Sequence, residues 1–188
     1  MEAVVLAAGL SSRMGRNKLL LPFGGHTVLS QVVMKASPFC TRIIVVTGYQ
    51  SRLIEESIAN QKVDFVFNPD YRKGQRTSLL LGIKSTSEDF FVLPGDIPMI
   101  SDEDIFSTIS LLETGSIARC FHNGIPGHPV AFRKENRDRI LSYPGQIKDY
   151  LEDFGCLRHP GTIGSVFDAD TSIRYQALLR GDLDPALL

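Results

Sequence analysis

The chain has only three cysteines, no long apolar run and almost no imbalance of charge, and each shortage removes a class of protein. Cys40, Cys120 and Cys156 are an odd, widely spaced set with no CxxC pair, which excludes a disulfide framework and a cysteine-based zinc site. Three small, semi-buried hydrophobes are expected instead. The first apolar run, residues 3–8, follows Glu2 without a basic leader and is too short for a signal-peptide core or a membrane span. The expected compartment is the cytoplasm, with no membrane partner. A formal net charge of -1 leaves no global basic field to hold a nucleic-acid backbone through counterion release. Nucleic acid is not an expected partner, so any phosphate must be met locally.

What is present is ordinary for a globular protein. An apolar fraction of 43% and a charged fraction of 22% rule against disorder. The 188 residues suit a single domain, 1–188, whose layered core buries roughly 70% of the unfolded surface. Apolar runs at residues 3–8, 42–47, 63–67 and 90–93 are each followed by a loop and a helical pattern, the rhythm of βαβ units. Because these runs do not alternate, they suit parallel strands covered on both faces.

Helical faces run through Val28, Leu29, Val32 and Val33, and through Leu53, Ile54 and Ile58. Ser101 followed by Asp102, Glu103 and Asp104 is an N-cap with acids in the first turn, opening a helix whose apolar face is Ile105, Phe106, Ile109 and Leu112. After Gly115 the rhythm loosens. Residues 117–121 and 129–132 read as strands joined through Asn123-Gly124, a small β-hairpin insertion. Helices are expected over 134–141, 147–154 and 173–180, a last strand over 163–167, and a frayed tail after Gly181.

Strand one runs into Leu6-Ala7-Ala8-Gly9-Leu10-Ser11-Ser12-Arg13-Met14-Gly15-Arg16-Asn17-Lys18, a loop with two glycines, two hydroxyls and three cations. Such a loop can turn successive backbone N–H groups toward phosphate oxygens, with Arg13 forking onto them and Lys18 supplying a mobile point charge. It is not the mononucleotide P-loop, because five residues separate Gly9 from Gly15 and Lys18 stands three beyond. It is not the dinucleotide fingerprint either, since Leu10 and Ser11 follow Gly9.

The fourth run ends Leu93-Pro94-Gly95-Asp96-Ile97-Pro98, which puts a carboxylate beyond the C-terminal end of a central strand, where open α/β sheets bind ligands. A helix terminus or nest offers a triphosphate only about half an elementary charge, ~0.3–2 kcal/mol. A divalent cation supplies the remainder, and Mg²⁺ is typically held by one or two carboxylates together with substrate phosphates. Asp96 is the expected anchor. Asp168, after a second apolar run, could complete the metal site, while Asp170 or Thr171 could instead cap the last helix.

Taken together, Leu6-Ala-Ala-Gly-x-Ser-x-Arg-Met-Gly-x-x-Lys18, Pro94-Gly-Asp96-x-Pro98, Gly127-His-Pro129 and Asp168-x-Asp-Thr171 resemble the signatures of the molybdenum cofactor cytidylyltransferases, within the molybdenum-cofactor-type nucleotidyltransferases. The resemblance spans nearly the whole chain, and its first motif is specific to nucleotidyltransferases in general. It implies a Rossmann-like three-layer αβα sandwich with a mostly parallel central sheet, CTP and Mg²⁺ as requirements, and the terminal phosphate of a molybdopterin cofactor as acceptor, with pyrophosphate released.

The same resemblance implies that Leu6, Ala7, Ala8, Gly9, Ser11, Ser12, Arg13, Met14, Gly15 and Lys18 hold the nucleotide. Residues 68–78 would lie beside its base and ribose, with Gln75 and Ser78 as the main contacts, and Gly127, His128 and Pro129 would face the acceptor. Lys18, Arg13 and Asp96 are the expected catalytic residues, with Asp96 and Asp168 on the metal. Relatives that use GTP usually read Leu-Ala-Gly-Gly where this chain has Leu6-Ala7-Ala8-Gly9, which favours the pyrimidine nucleotide.

Two departures stand out. Gly145-Gln146-Ile147-Lys148-Asp149-Tyr150 lacks the second glycine and the arginine of the family's Gly-Asp-x-Gly-Ala-Arg-like segment, and Ser172-Ile173-Arg174 replaces Pro-Glu-Asp in the closing motif. The alternatives are transfer to another phosphorylated acceptor, such as a sugar or polyol phosphate, and a non-catalytic nucleotide-binding relative. A molybdenum enzyme or its chaperone is the expected transient partner.

Overall fold

The computed structural model describes all 188 residues. Strand β1 (Glu2–Ala7) lies between β4 (Arg42–Thr47) and β6 (Phe90–Pro94), and β5 (Asp64–Phe67) forms one edge beyond β4. All four are parallel. The other half of the sheet continues from β6 through β8 (Ile125–Phe132) and β7 (Ile117–His122) to β9 (Leu157–Pro160), and only β8 runs against the rest. The seven-stranded sheet is therefore mostly parallel. A separate two-stranded hairpin, β2 (Pro22–Phe23) and β3 (His26–Thr27), stands beside it.

The three layers follow from the alternation of β1. Ala3, Val5 and Ala7 face one cluster, shared with Leu29, Val32 and Val33 of α1 (Val28–Ala36), Ile54 of α2 (Ser51–Ser57) and Ile105 of α4 (Asp102–Ser110). Val4 faces the opposite cluster, with Leu79 and Ile83 of α3 (Gln75–Lys84), Ile140 of α5 (Asn136–Ser142) and Tyr150 of α6 (Ile147–Phe154). Strands buried on both sides cannot alternate with polar residues, which is why the runs read as continuously apolar. A third cluster packs Phe23 and Val28 against Phe167 and against Tyr175 and Leu178 of α7 (Ser172–Arg180).

The hairpin expected through Asn123-Gly124 forms, with both residues at positive φ (49° and 82°), the pair that a two-residue turn of this hand requires. Its second strand starts at Ile125, earlier than its apolar part, and it is built into the main sheet through β6. Three expectations give way. Residues 63–67 were expected to be covered on both faces, but β5 is an edge strand and leaves Phe65 and Phe67 exposed.

Residues 163–167 form no strand. Asp104, buried at the start of α4, accepts from the Thr162 N–H at 2.8 Å and turns the chain into a 3₁₀ helix, Ile163–Ser165. The last strand is instead β9, whose short, mostly exposed sequence carries no apolar signal. The tail after Gly181 does not fray: Arg174 donates from Nε to the Leu187 carbonyl at 2.7 Å, and residues Pro185–Leu187 make a 3₁₀ turn. No helix is long and apolar enough to cross a membrane.

Candidate active site

Strands β1 and β6 are parallel neighbours with Leu6 opposite Pro94, and the chain reaches β4 and β6 on opposite sides of β1. The crevice at their C-terminal ends is thus the point where the strand order reverses, where such sheets bind ligands. The Gly95 N–H donates to the Leu6 carbonyl at 2.9 Å. A Cβ on Gly95 would sit 2.9 Å from that oxygen and 3.0 Å from Leu29 Cδ1, so only glycine lets the strand end come this close. The approach delivers Asp96, 9% exposed, beside the loop that follows β1.

That loop folds back on itself. Ser11 takes a left-handed conformation (φ 51°) before the 3₁₀ turn Ser12–Met14, and Gly15 (φ 65°) ends the turn. Ser11 accepts from the Met14 N–H through its carbonyl (3.0 Å) and from the Lys18 N–H through Oγ (3.2 Å). Leu19, buried in the core, pins the next turn. Lys18 is therefore aimed inward, and its ammonium donates to Asp96 Oδ2 and Asp170 Oδ1. Asp170 also accepts from Arg13 Nη1 at 2.7 Å. Asp168 accepts from Arg174 Nη1 at 2.8 Å and from the Asp170 N–H at 3.0 Å.

The charges in this cluster set one another. Burial works against the Lys18 ammonium, but Asp96 and Asp170 outweigh it and hold its pKa above the ordinary lysine range. Burial pushes the Asp96 carboxyl up, and repulsion from Asp168 and Asp170 adds to it, so Lys18 only partly offsets the rise. For Asp170 burial acts the same way but is overcome by the hydrogen bond and charge of Lys18, with Arg13 and Arg174, leaving its pKa below the usual carboxylate value. Asp96 is the acid whose charge is least compensated.

No three His, Cys, Asp or Glu side chains come together as a ready metal-binding group. The donor set is all carboxylate oxygen, the hard kind that suits Mg²⁺, and two of its members already converge on one positive ion, the Lys18 ammonium. These carboxylates would suit a hard divalent cation held together with substrate phosphates.

A cavity of about 560 Å³ opens over the cluster. From the loop, Leu6, Ala8, Gly9, Ser11 and Lys18 line it, and from elsewhere in the expected set Gln75, Ser78, Asp96, His128 and Asp168 do so. A Cβ on Gly9 would meet nothing within 4 Å, so the missing side chain serves no packing of the protein's own and leaves room for a ligand. Ala7 faces the core instead, fully buried, and only its backbone is within reach of a ligand. Ser12, Arg13, Met14 and Gly15 do not line the cavity, and Arg13 meets it only through Asp170.

Ser78 lines the wall with its Oγ accepting from Asn68 Nδ2 at 2.8 Å. Gly127 and Pro129 are buried and line no part of the cavity, so of that triplet only His128 reaches it. Tyr71 and Arg72 of the expected 68–78 segment line it as well, and the structure adds Ile125 and Pro126. Ile125 and Pro126 lie just before the Gly127-His-Pro129 motif and arrive through the turn at Asn123. From the sequence, Asp170 could be either the second metal ligand in place of Asp168 or a cap of the last helix.

A profile of the MobA-like NTP transferase domain matches residues 3–154. The chain belongs to that family. It is a nucleotidyltransferase, as that family match shows. The molybdenum cofactor cytidylyltransferase of Escherichia coli (strain K12) is 40% identical over 135 residues, 71% of this chain and 70% of that protein. Among solved structures, Rv0371c from Mycobacterium tuberculosis H37Rv superposes with a TM-score of 0.83 at 24% identity, covering 95% of this chain and 96% of that one. A manganese complex of Rv0371c superposes at 0.76 with 23% identity, covering 95% and 97%. These two establish the likeness of fold.

Proposed function

We propose that this nucleotidyltransferase transfers CMP from CTP to the terminal phosphate of a molybdopterin cofactor, with Mg²⁺ as its metal. The observation that carries the reading is the meeting of Lys18, Asp96 and Asp170 at the crevice where the strand order reverses, directly beside the glycine-bearing loop. The 40% identity to a molybdenum cofactor cytidylyltransferase supports the choice of nucleotide and acceptor, and the manganese complex of Rv0371c supports a divalent cation.

In this reading Asp96 would anchor the cation and Asp170 would complete its carboxylate pair. Asp168 was the expected partner, but its Oδ1 is already taken by Arg174 and the Asp170 N–H, which makes it the residue that orients Asp170. When bound, the cation would neutralise charge on the phosphates. Lys18, released from the carboxylates, would turn to the α-phosphate. Arg13 and the backbone N–H groups of residues 9–15 would hold the β- and γ-phosphates, and Gln75 and Ser78 would flank the base and ribose.

One oxygen of the acceptor phosphate attacks the α-phosphorus, a new P–O–P bond forms, the bond between the α-phosphorus and its bridging oxygen breaks, and pyrophosphate leaves. The acceptor is already an anion, so no general base is needed, and catalysis reduces to positioning and charge neutralisation. His128, which lines the cavity wall, faces the side from which an acceptor would come. Burial, with the Arg119 charge adding to it, lowers its pKa to about 3, so the imidazole contributes shape and a neutral polar edge rather than a proton.

The test is pyrophosphate release from a panel of nucleoside triphosphates with Mg²⁺ against molybdopterin, sugar phosphates and polyol phosphates. Release with CTP and molybdopterin is expected. Release only with another pair would replace the substrates, and none with any acceptor would leave a nucleotide-binding relative without turnover.

A further inference from the structure

A second cavity, about 450 Å³, adjoins the first and shares Leu6, Gln75, Pro126 and His128 with it. Its sheet face is apolar, with Val92, Val130 and Phe132, but its lining also carries an unusual pair of cations. Arg119 on β7 and Arg158 on β9 are direct neighbours in the parallel register. Like charges set side by side on neighbouring strands repel, and sheets normally avoid the arrangement or place a carboxylate between them. Neither guanidinium makes a salt bridge. The cavity's one acid, Glu152, lies 3.7 Å from Lys148 on the outer surface.

Arg119 spends its Nε on the Gly127 carbonyl (2.8 Å), and its terminal nitrogens make no hydrogen bond. It is half-buried, and burial lowers its pKa from the ordinary arginine value. The ring of Phe121, two residues along β7, lies under both cations, 4.7 Å from the Arg158 guanidinium and 6.0 Å from that of Arg119. Arg76 differs, because its guanidinium is occupied by the Gly145 and Tyr143 carbonyls.

We propose that this second cavity seats the acceptor, with Arg119 and Arg158 clamping an anionic group of a flat, partly apolar molecule whose ring lies against Phe121 and the apolar sheet face. The assignment rests on the transfer reaction proposed above and names the residues that select the acceptor. Two guanidiniums with free N–H forks match a phosphate, which can accept from both at once. The shared wall at His128 and Gln75 lets a molecule in this cavity present its phosphate to a nucleotide in the first.

The test uses the intact protein and neopterin monophosphate, a planar fluorescent pterin bearing one phosphate, with neopterin, inorganic phosphate and pyrophosphate as separate arms. The phosphorylated pterin should bind more tightly than any of the other three. Arg158→Ala and Arg119→Gln should each weaken it about tenfold or more, the scale of a lost charge-assisted contact, while CTP with Mg²⁺ binds as in wild type. Arg119→Lys should recover part of the loss. Because Arg119 also holds the Gly127 carbonyl, Arg158→Ala, which loses no hydrogen bond, is the deciding variant.

Failure of the wild type to prefer the phosphorylated pterin, or unchanged affinity in Arg158→Ala, overturns the proposal. Equal loss of CTP binding in Arg158→Ala does so too. The two readings separate cleanly. Pyrophosphate release with an unchanged acceptor KM in Arg158→Ala would leave the reaction standing and remove the arginine clamp. An arginine-dependent pterin phosphate site in a protein that releases no pyrophosphate would do the reverse.

Discussion

The two adjoining cavities differ in how their cations are matched. At the first, Lys18 faces Asp96 and Asp170, Arg13 faces Asp170, and Arg174 faces Asp168, so each cation of that cluster has a carboxylate, while Arg72, over the Tyr71 ring, lines the cavity without one. In the second, Arg119 and Arg158 stand together with none. A matched cluster is stable without ligand and can exchange one cation for another when a metal and its phosphates arrive together. An unmatched pair is complete only when an anion arrives. The difference suits a nucleotide that comes with its own counterion and an acceptor that comes without one.

The largest way to break the comparison is Lys18→Ala. Loss of one preorganised electrostatic contact typically costs ~10²–10³ in turnover, and that is the expected fall in single-turnover pyrophosphate release. The variant also leaves a buried Asp96 and a half-buried Asp170 facing each other without the ammonium that joined them. Removing one partner of a buried ion pair typically costs ~3–5 kcal/mol, so the thermal midpoint should drop and Mg²⁺ should restore more of it than in wild type. Turnover like that of wild type would dismiss the role given to Lys18.

A smaller effect separates the two acids near the C-terminus. Asp170→Asn should weaken metal dependence more than Asp168→Asn, because Asp170 shares the ammonium with Asp96 while Asp168 acts through Arg174 and the Asp170 N–H. An outer-shell partner is typically worth ~10–100-fold in metal affinity or activity, which sets the scale for Asp168→Asn. Mn²⁺ binding followed by electron paramagnetic resonance reads this directly. The opposite order would return Asp168 to the metal.

The sheet and the first cavity were legible in the sequence for the same reason. Strands buried on both faces show unbroken apolar runs, and a loop that meets phosphate needs glycines, hydroxyls and cations in one short stretch. Asp96 could be placed because it follows such a strand directly. The second cavity was not legible. Arg119 and Arg158 lie 39 positions apart and are joined only by the pairing of β7 with β9, a strand too short and exposed to leave an apolar pattern. Asp170 was ambiguous because a D-x-D-T stretch before a helix serves capping as well as it serves a metal, and in the structure Thr171 is the cap, accepting from the Arg174 N–H.

His128 stands in the wall between the cavities and sharpens the comparison through pH. Its folded pKa, about 3, lies below its ordinary value near 6.5, so between these the unfolded chain takes up a proton that the folded chain refuses. The stability it contributes is complete above about pH 6.5 and falls as pH drops toward 3, by at most ~1.4 kcal/mol per pH unit. Glu2 and Asp170, whose pKa values are lowered, lose their contributions further down, as pH falls through the carboxylate range. Denaturant melts at pH 6.5, 5.5 and 5.0 should therefore show a flatter dependence in His128→Gln than in wild type. Parallel slopes would mean that the imidazole is protonated in the folded protein.

The smallest predicted effect concerns the fold alone. Arg158→Ala, measured without ligand, removes a cation–π contact with Phe121, worth ~0.5–1 kcal/mol at an exposed site. It also relieves repulsion from Arg119, of order 0.2–1 kcal/mol for charges side by side in a sheet. The two nearly cancel, so the stability should stay within ~0.5 kcal/mol of wild type, as at a surface position that holds nothing together. Lys18→Ala in the other cavity should lose several times more. A fall of similar size at both positions would show that Arg158 is kept for the fold, and the contrast between a matched and an unmatched cavity would lose its functional meaning.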